Sequence, residues 1–197
     1  MGHGLVVLLL AAFPLMGSPG PATLSTAAIG SAYGARRGVP YLGGIIAGTA
    51  TVLVLIATGM TGLILTQPAL VNAITVLAIG YILYLAYRIA TAPVMSKAGA
   101  ADKAPSFTSG YVLAVANPKA FAAIGAVYSG SVLVPGDVVL DAAIKLAALT
   151  GVIIAVNSAW LVFGSALSSV LSDPAKGRIA NVAFALLLVG SVVLAVL

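Results

Sequence analysis

Residues 38–87 read GVPYLGGIIAGTATVLVLIATGMTGLILTQPALVNAITVLAIGYILYLAY, 50 residues without a Lys, Arg, Asp or Glu. As one helix that run would extend about 75 Å at 1.5 Å per residue, against a bilayer hydrocarbon core of about 30 Å. It therefore divides into two membrane-crossing helices. Thr66-Gln67-Pro68 is the expected turn, because Pro ends a helix and the residue before it resists the α region.

The rest of the chain supports a helical membrane protein. Of its 197 residues, 61% are hydrophobic and 7% charged, against about 25% charged in an ordinary soluble domain. There is no Glu, and the acids are Asp102, Asp137, Asp141 and Asp173. So few charges cannot coat a soluble globule, which excludes a soluble enzyme and a disordered tail. The net charge is +5, but the basic residues form no patch, so no nucleic-acid partner is expected. The absence of Cys removes disulfides and thiolate chemistry. No metal site, cofactor or catalytic motif is visible, and no enzymatic activity is expected.

Charge-poor stretches place six helices at roughly 5–33, 39–65, 69–91, 107–131, 140–170 and 178–197. The first lacks the positive leader of a signal peptide and is expected to be retained. The polar segment 92–106 is the linker between halves 1–91 and 107–197 of a single transmembrane domain. The first, third and fifth connections hold Arg36 and Arg37, then Arg88, Lys97 and Lys103, then Lys176 and Arg178. The positive-inside bias makes these connections, near 34–38, 92–106 and 172–178, cytoplasmic, with both termini outside. Three helices per half give the halves opposite orientation, the inverted-repeat plan of many secondary transporters.

Such carriers bind substrate where helices are interrupted at corresponding positions. The first helix holds Ser18-Pro19-Gly20-Pro21 and the fourth holds Asn117-Pro118-Lys119. Pro stops the incoming helix, while Ser18 and Asn117 suit an N-cap with Pro19 and Pro118 following at N1. Two helix starts at mid-membrane depth would present unpaired N–H groups and positive dipole ends to a small anion. Thr23 is a polar neighbour of the first start. Lys119 reads either as a substrate-facing cation or as a donor to carbonyls of the broken helix. Asp141 and Lys145, spaced i,i+4, read as an ion pair or a proton-responsive pair. Asn157 is expected to bond a neighbouring helix or, less simply, a ligand. The series Gly30, Gly34 and Gly38, and the pair Gly44 and Gly48, make small-residue faces for packing within the chain or for a homodimer.

These elements together resemble the LysE/RhtB-type amino-acid exporters of bacterial inner membranes. Pro19-Gly20-Pro21 is similar to that family's PGP signature and Asn117-Pro118-Lys119-Ala120 to its NPKA motif. Gly34-Ala35-Arg36-Arg37-Gly38 with Gly44 and Gly48, and Tyr81 to Arg88, resemble its second and third segments. The resemblance implies a multi-pass inner-membrane carrier that exports amino acids or related metabolites, driven by the proton gradient. It implies Pro19, Gly20, Pro21, Asn117, Pro118 and Lys119 as site residues. Ala22 stands where the family often has a polar residue, which disfavours a cationic cargo. Two other readings remain open: a carrier of the same fold for an inorganic or other small ion, and a non-transporting membrane scaffold. The scaffold predicts that the two interrupted motifs lie apart and dry.

Overall fold

The computed structural model describes residues 2–91, 105–170 and 174–196. Among them the chain is helical without strands: α1 (Gly2–Gly17), α2 (Pro21–Tyr33), α3 (Ala35–Ala57), α4 (Met60–Leu65), α5 (Pro68–Ala90), α6 (Phe107–Val115), α7 (Pro118–Ser129), α8 (Val138–Val170) and α9 (Pro174–Val196). The linker with Lys97, Asp102 and Lys103, and Asp173, lie outside the described residues.

Both interruptions are helix breaks. The axis bends by 62° between α1 and α2 and by 61° between α6 and α7. The second break follows the expected chemistry. The Asn117 side chain accepts from the backbone N of Lys119 at 3.2 Å, and Pro118 opens α7. The first break departs from it, because the N-cap of α2 is Gly20 and not Ser18. Ser18 is still held by α1: its N–H donates to Pro14 O and its hydroxyl to Leu15 O. Pro21 then takes the N1 place, and the Thr23 hydroxyl accepts from Gly20 N at 2.9 Å.

Other boundaries also move. Gly34, at φ 79°, is the whole joint between α2 and α3. Arg36 and Arg37 thus lie in the first turn of α3 rather than in a loop. Gly59, at φ 72°, splits the expected second helix into α3 and α4. Lys176 and Arg178 lie within α9, which starts earlier than expected. Gln67-Pro68 does end one helix and open the next, with Gln67 as N-cap of α5.

α3 and the 138–167 part of α8 are each long and apolar enough to cross a bilayer. The two bent pairs bring the count of such elements to as many as four. Exposed Leu10, Val76, Leu77, Val162 and Leu186 are the residues a lipid-facing surface needs.

The halves interlock. α2 packs on α8, and α3 packs on α6. Each crossing has a glycine from each half. A Cβ on Gly30 would lie 2.3 Å from Leu161 O, and one on Gly164 would lie 1.9 Å from Ala27 O. At the other crossing, a Cβ on Gly44 would lie 1.9 Å from Phe107 O, and one on Gly110 would lie 2.3 Å from Tyr41 O. Gly48 meets Tyr111 O in the same way, and Gly38 lies against the Leu161 side chain. Gly30, Gly38, Gly44 and Gly48 thus pack within the chain, which is one of the two uses left open for them, and nothing in the structure supports the homodimer.

Two apolar clusters result. One joins α2, α3, α5, α6 and α9 around Ile29, Tyr41, Ile45, Ile82 and Leu113. The other joins α1, α3, α7 and α8 around Leu8, Leu53, Ile124, Leu149 and Ile153. Trp160 packs against both.

Candidate functional site

A helix broken in a membrane exposes carbonyls at its C-terminal end, and each unsatisfied group there costs several kcal/mol. At the end of α1 three carbonyls are answered by side chains from the second half. Trp160 Nε1 donates to Gly17 O at 3.0 Å. Lys119 Nζ donates to Ser18 O and, at 3.2 Å, to Pro19 O. The Thr23 hydroxyl is also within 3.2 Å of Ser18 O and of Gly20 O. An ammonium at the first turn of α7 sits against a positive dipole end, whereas the carboxyl end of α1 favours a cation. Lys119 therefore reaches across the break. Of its two expected roles, the structure places it on the carbonyls of the broken helix.

Gly20 is small for the same reason. Its φ of −175° is ordinary extended backbone, but a Cβ there would lie 2.5 Å from Lys119 Cδ and 3.0 Å from Nζ. The Gly of the first motif clears a lane for the Lys of the second.

Between the breaks lies a cavity of about 40 Å³. Gly20, Ala22 and Thr23 line it from the start of α2, and Asn117, Lys119 and Ala120 from the start of α7. The two helix starts thus reach one space, as expected. Thr49 of α3 adds a hydroxyl, and Leu15, Met16, Ile124, Ile153 and Val156 give the rest of the wall an apolar character. Asn157 of α8 completes it. Its Nδ2 donates back to Ile153 O in the same helix at 2.8 Å, rather than to a neighbouring helix. Its Oδ1 has no hydrogen-bond partner among the described residues, although Asn157 is only 5% exposed. A buried acceptor left so costs about 1–3 kcal/mol.

Five of the expected site residues line this cavity: Gly20, Thr23, Asn117, Lys119 and Asn157. Ser18 and Pro19 adjoin it through their carbonyls to Lys119. Pro21 and Pro118 shape the breaks and do not line it. Asp141 and Lys145 lie elsewhere. Lys145 Nζ is 2.7 Å from Asp141 Oδ2, and Asp141 Oδ1 accepts from Leu133 N and Val134 N. Lys145 Nζ also stands 4.9 Å from the centre of the Tyr128 ring. This pair fastens the 130–137 connection to α8. Sequence reading missed Thr49, Trp160 and the apolar wall. An isolated Thr or Trp in an apolar run carries no positional signal until the fold brings it to a break.

The LysE type translocator family matches residues 13–197, which includes both breaks and every lining residue. The chain belongs to that family. A leucine efflux protein of Enterobacter sp. (strain 638) is 33% identical over 114 residues, which is 55% of this chain and 54% of that protein. The chain thus spans about half the length of the curated relative it matches. No solved structure matches the chain.

Proposed function

We propose that this translocator is a secondary-active exporter of small zwitterionic amino acids, leucine among them, across the bacterial inner membrane. The observation that carries the reading is the convergence of both broken helices on one cavity, with a cation, two helix starts and an apolar wall. A substrate carboxylate docks at the starts of α2 and α7, where N–H groups and positive dipole ends point. An aliphatic side chain packs on Leu15, Met16, Ile124, Ile153 and Val156. The leucine efflux relative supports the same cargo class.

A space of about 40 Å³ admits a few waters, less than an amino acid. Seating cargo therefore requires the bent α1–α2 element to part from α7 and α8. Lys119, which fastens the two, is the contact that must let go, and a substrate carboxylate is the group that draws an ammonium away. Exchange of that contact opens the cavity to alternate sides while the six crossings, in two inverted halves, rock about it. The proton gradient drives the cycle. Lys119 is the charged side chain in the described cavity wall, so proton exchange is assigned to it. Positive connections face the cytoplasm and the termini face outward.

The apolar wall favours an organic cargo over a hydrated inorganic ion. The contact of Lys119 with Ser18 and Pro19 is opposite to the separated motifs that a scaffold predicts. Efflux from leucine-loaded proteoliposomes tests the reading. Leucine or a similar amino acid leaves faster under an imposed pH gradient; no efflux across an amino-acid panel, with or without the gradient, overturns it.

A further inference from the structure

The exporter reading leaves one polar atom of the cavity without a task. Asn157 lies in the wall with its amide almost wholly buried. The orientation of that amide is set by Ile153 O, which needs a donor facing it and receives Nδ2 at 2.8 Å. Turning the amide over would set carbonyl against carbonyl, so Oδ1 is held on the other side. There it meets no donor among the described residues. Orphaned buried acceptors are rare, and one in a cavity wall marks a place for a donor, from water in the empty carrier and from cargo in the loaded one.

The neighbouring chemistry narrows what the occupant is. Thr23 is engaged with Gly20 N and the carbonyls of the break. The Lys119 ammonium is engaged with Ser18 and Pro19. Thr49 and Asn117 carry the other side-chain donors of the wall, and neither bonds Oδ1; Ile153 and Val156 offer none. A carboxylate brings only acceptors and gains nothing at a carbonyl oxygen. An ammonium brings three donors and no acceptor, the complement of an unpaired amide oxygen. The cavity is therefore two-ended in chemical terms, with helix starts and a cation on one part of its wall and a bare acceptor on another.

We propose that Asn157 is the residue that recognises the α-ammonium of the cargo, with Oδ1 as the acceptor, and so selects α-amino acids over carboxylic acids that lack the amine. The assignment rests on the exporter reading. It adds a specificity residue outside both interrupted motifs, on a helix that belongs to neither.

The test uses the full chain in proteoliposomes loaded with leucine or with 4-methylpentanoate, which keeps the carboxylate and side chain and lacks the amine. The wild-type protein exports leucine in preference. Asn157→Leu removes the acceptor and lowers leucine efflux by about tenfold or more, the weight of one hydrogen bond to a charged group. It leaves 4-methylpentanoate efflux unchanged, so the preference collapses. Asn157→Gln keeps both a donor for Ile153 O and an acceptor and retains a preference for leucine, and it serves as the informative variant if Asn157→Leu does not fold. An equal loss for both compounds in Asn157→Leu, or a lost preference in Asn157→Gln, overturns the assignment while leaving the exporter standing. A wild-type protein that moves leucine and 4-methylpentanoate equally well does the same. A wild-type protein that moves no amino acid overturns the exporter reading and this assignment together.

Discussion

The two helix breaks bend by almost the same angle, 62° and 61°, yet they are held in different ways. The second is self-sufficient. Asn117 caps α7 with its own side chain, and Pro118 follows at N1. The first has a glycine at the cap, and borrows. Its N–H is answered by Thr23 three residues on, and its exposed carbonyls by Trp160 and Lys119 from the other half. The difference teaches that matching interruptions in two halves need not be equivalent. One break supplies the tie and the other receives it, so the geometry of the first depends on the position of the second.

The largest effect on this asymmetry comes from Lys119→Met. It leaves the Ser18 and Pro19 carbonyls with fewer donors and leaves the Asn117 cap intact. Leucine efflux from proteoliposomes should fall about a hundredfold or more, with stability reduced by about 1–3 kcal/mol and membrane insertion unchanged. Efflux that stays near wild-type would make the Lys119 tie dispensable for transport. Gly20→Ala comes next. Its Cβ would meet Lys119 Cδ at 2.5 Å and force that side chain off its lane, so efflux should drop about tenfold by displacing the same contact. An unaltered rate would show that the lane is not needed. Trp160→Phe removes one donor to Gly17 O and should lower the melting temperature of the detergent-solubilised protein by about 2–4 °C, equivalent to about 1 kcal/mol. No shift would mean that the first break does not rely on α8. Smallest is Asn117→Ser, which keeps an uncharged capping oxygen and should change stability by a few tenths of a kcal/mol, whereas Asn117→Ala should cost about 1 kcal/mol. If the two variants melt alike, the second break is not self-capped.

The sequence was a good guide where one residue type dominates local conformation. Pro68 and Pro118 stand at the helix starts expected of them, and Asn117 caps α7 with no competing side-chain bond among the described residues, whereas at the first break the N1 place goes to Pro21 and not to Pro19. Ser18 misled because its hydroxyl prefers the Leu15 carbonyl one turn back, a competition that cap statistics do not reveal. Gly34 lies inside the expected 34–38 connection, which the structure narrows to that residue, whereas Gly59 was missed as a joint because glycine in an apolar run reads equally as a packing residue and only its positive φ separates the two uses. Gly30, Gly44 and Gly48 were legible as close-approach faces, but their partners were not, since Gly164 and Gly110 stand far away in the chain. For the site, the two motifs were legible and the direction of Lys119 was left between two roles. A side chain's choice between cargo and carbonyls depends on which carbonyls fold beside it.

The interlocked glycine crossings bear on how the chain is made. α2 and α3 emerge from the ribosome before α6 and α8 exist. Until then the faces carrying Gly30 and Gly44 have only lipid or each other to touch, and the shallow grooves left by missing side chains gain little from either. The N-terminal half is thus born without its native neighbours, and its tertiary structure closes only after the second half has been inserted. Arrest of synthesis within the linker should therefore yield a membrane-inserted intermediate that remains open to proteases and quality control, and the whole carrier should mature in one late step.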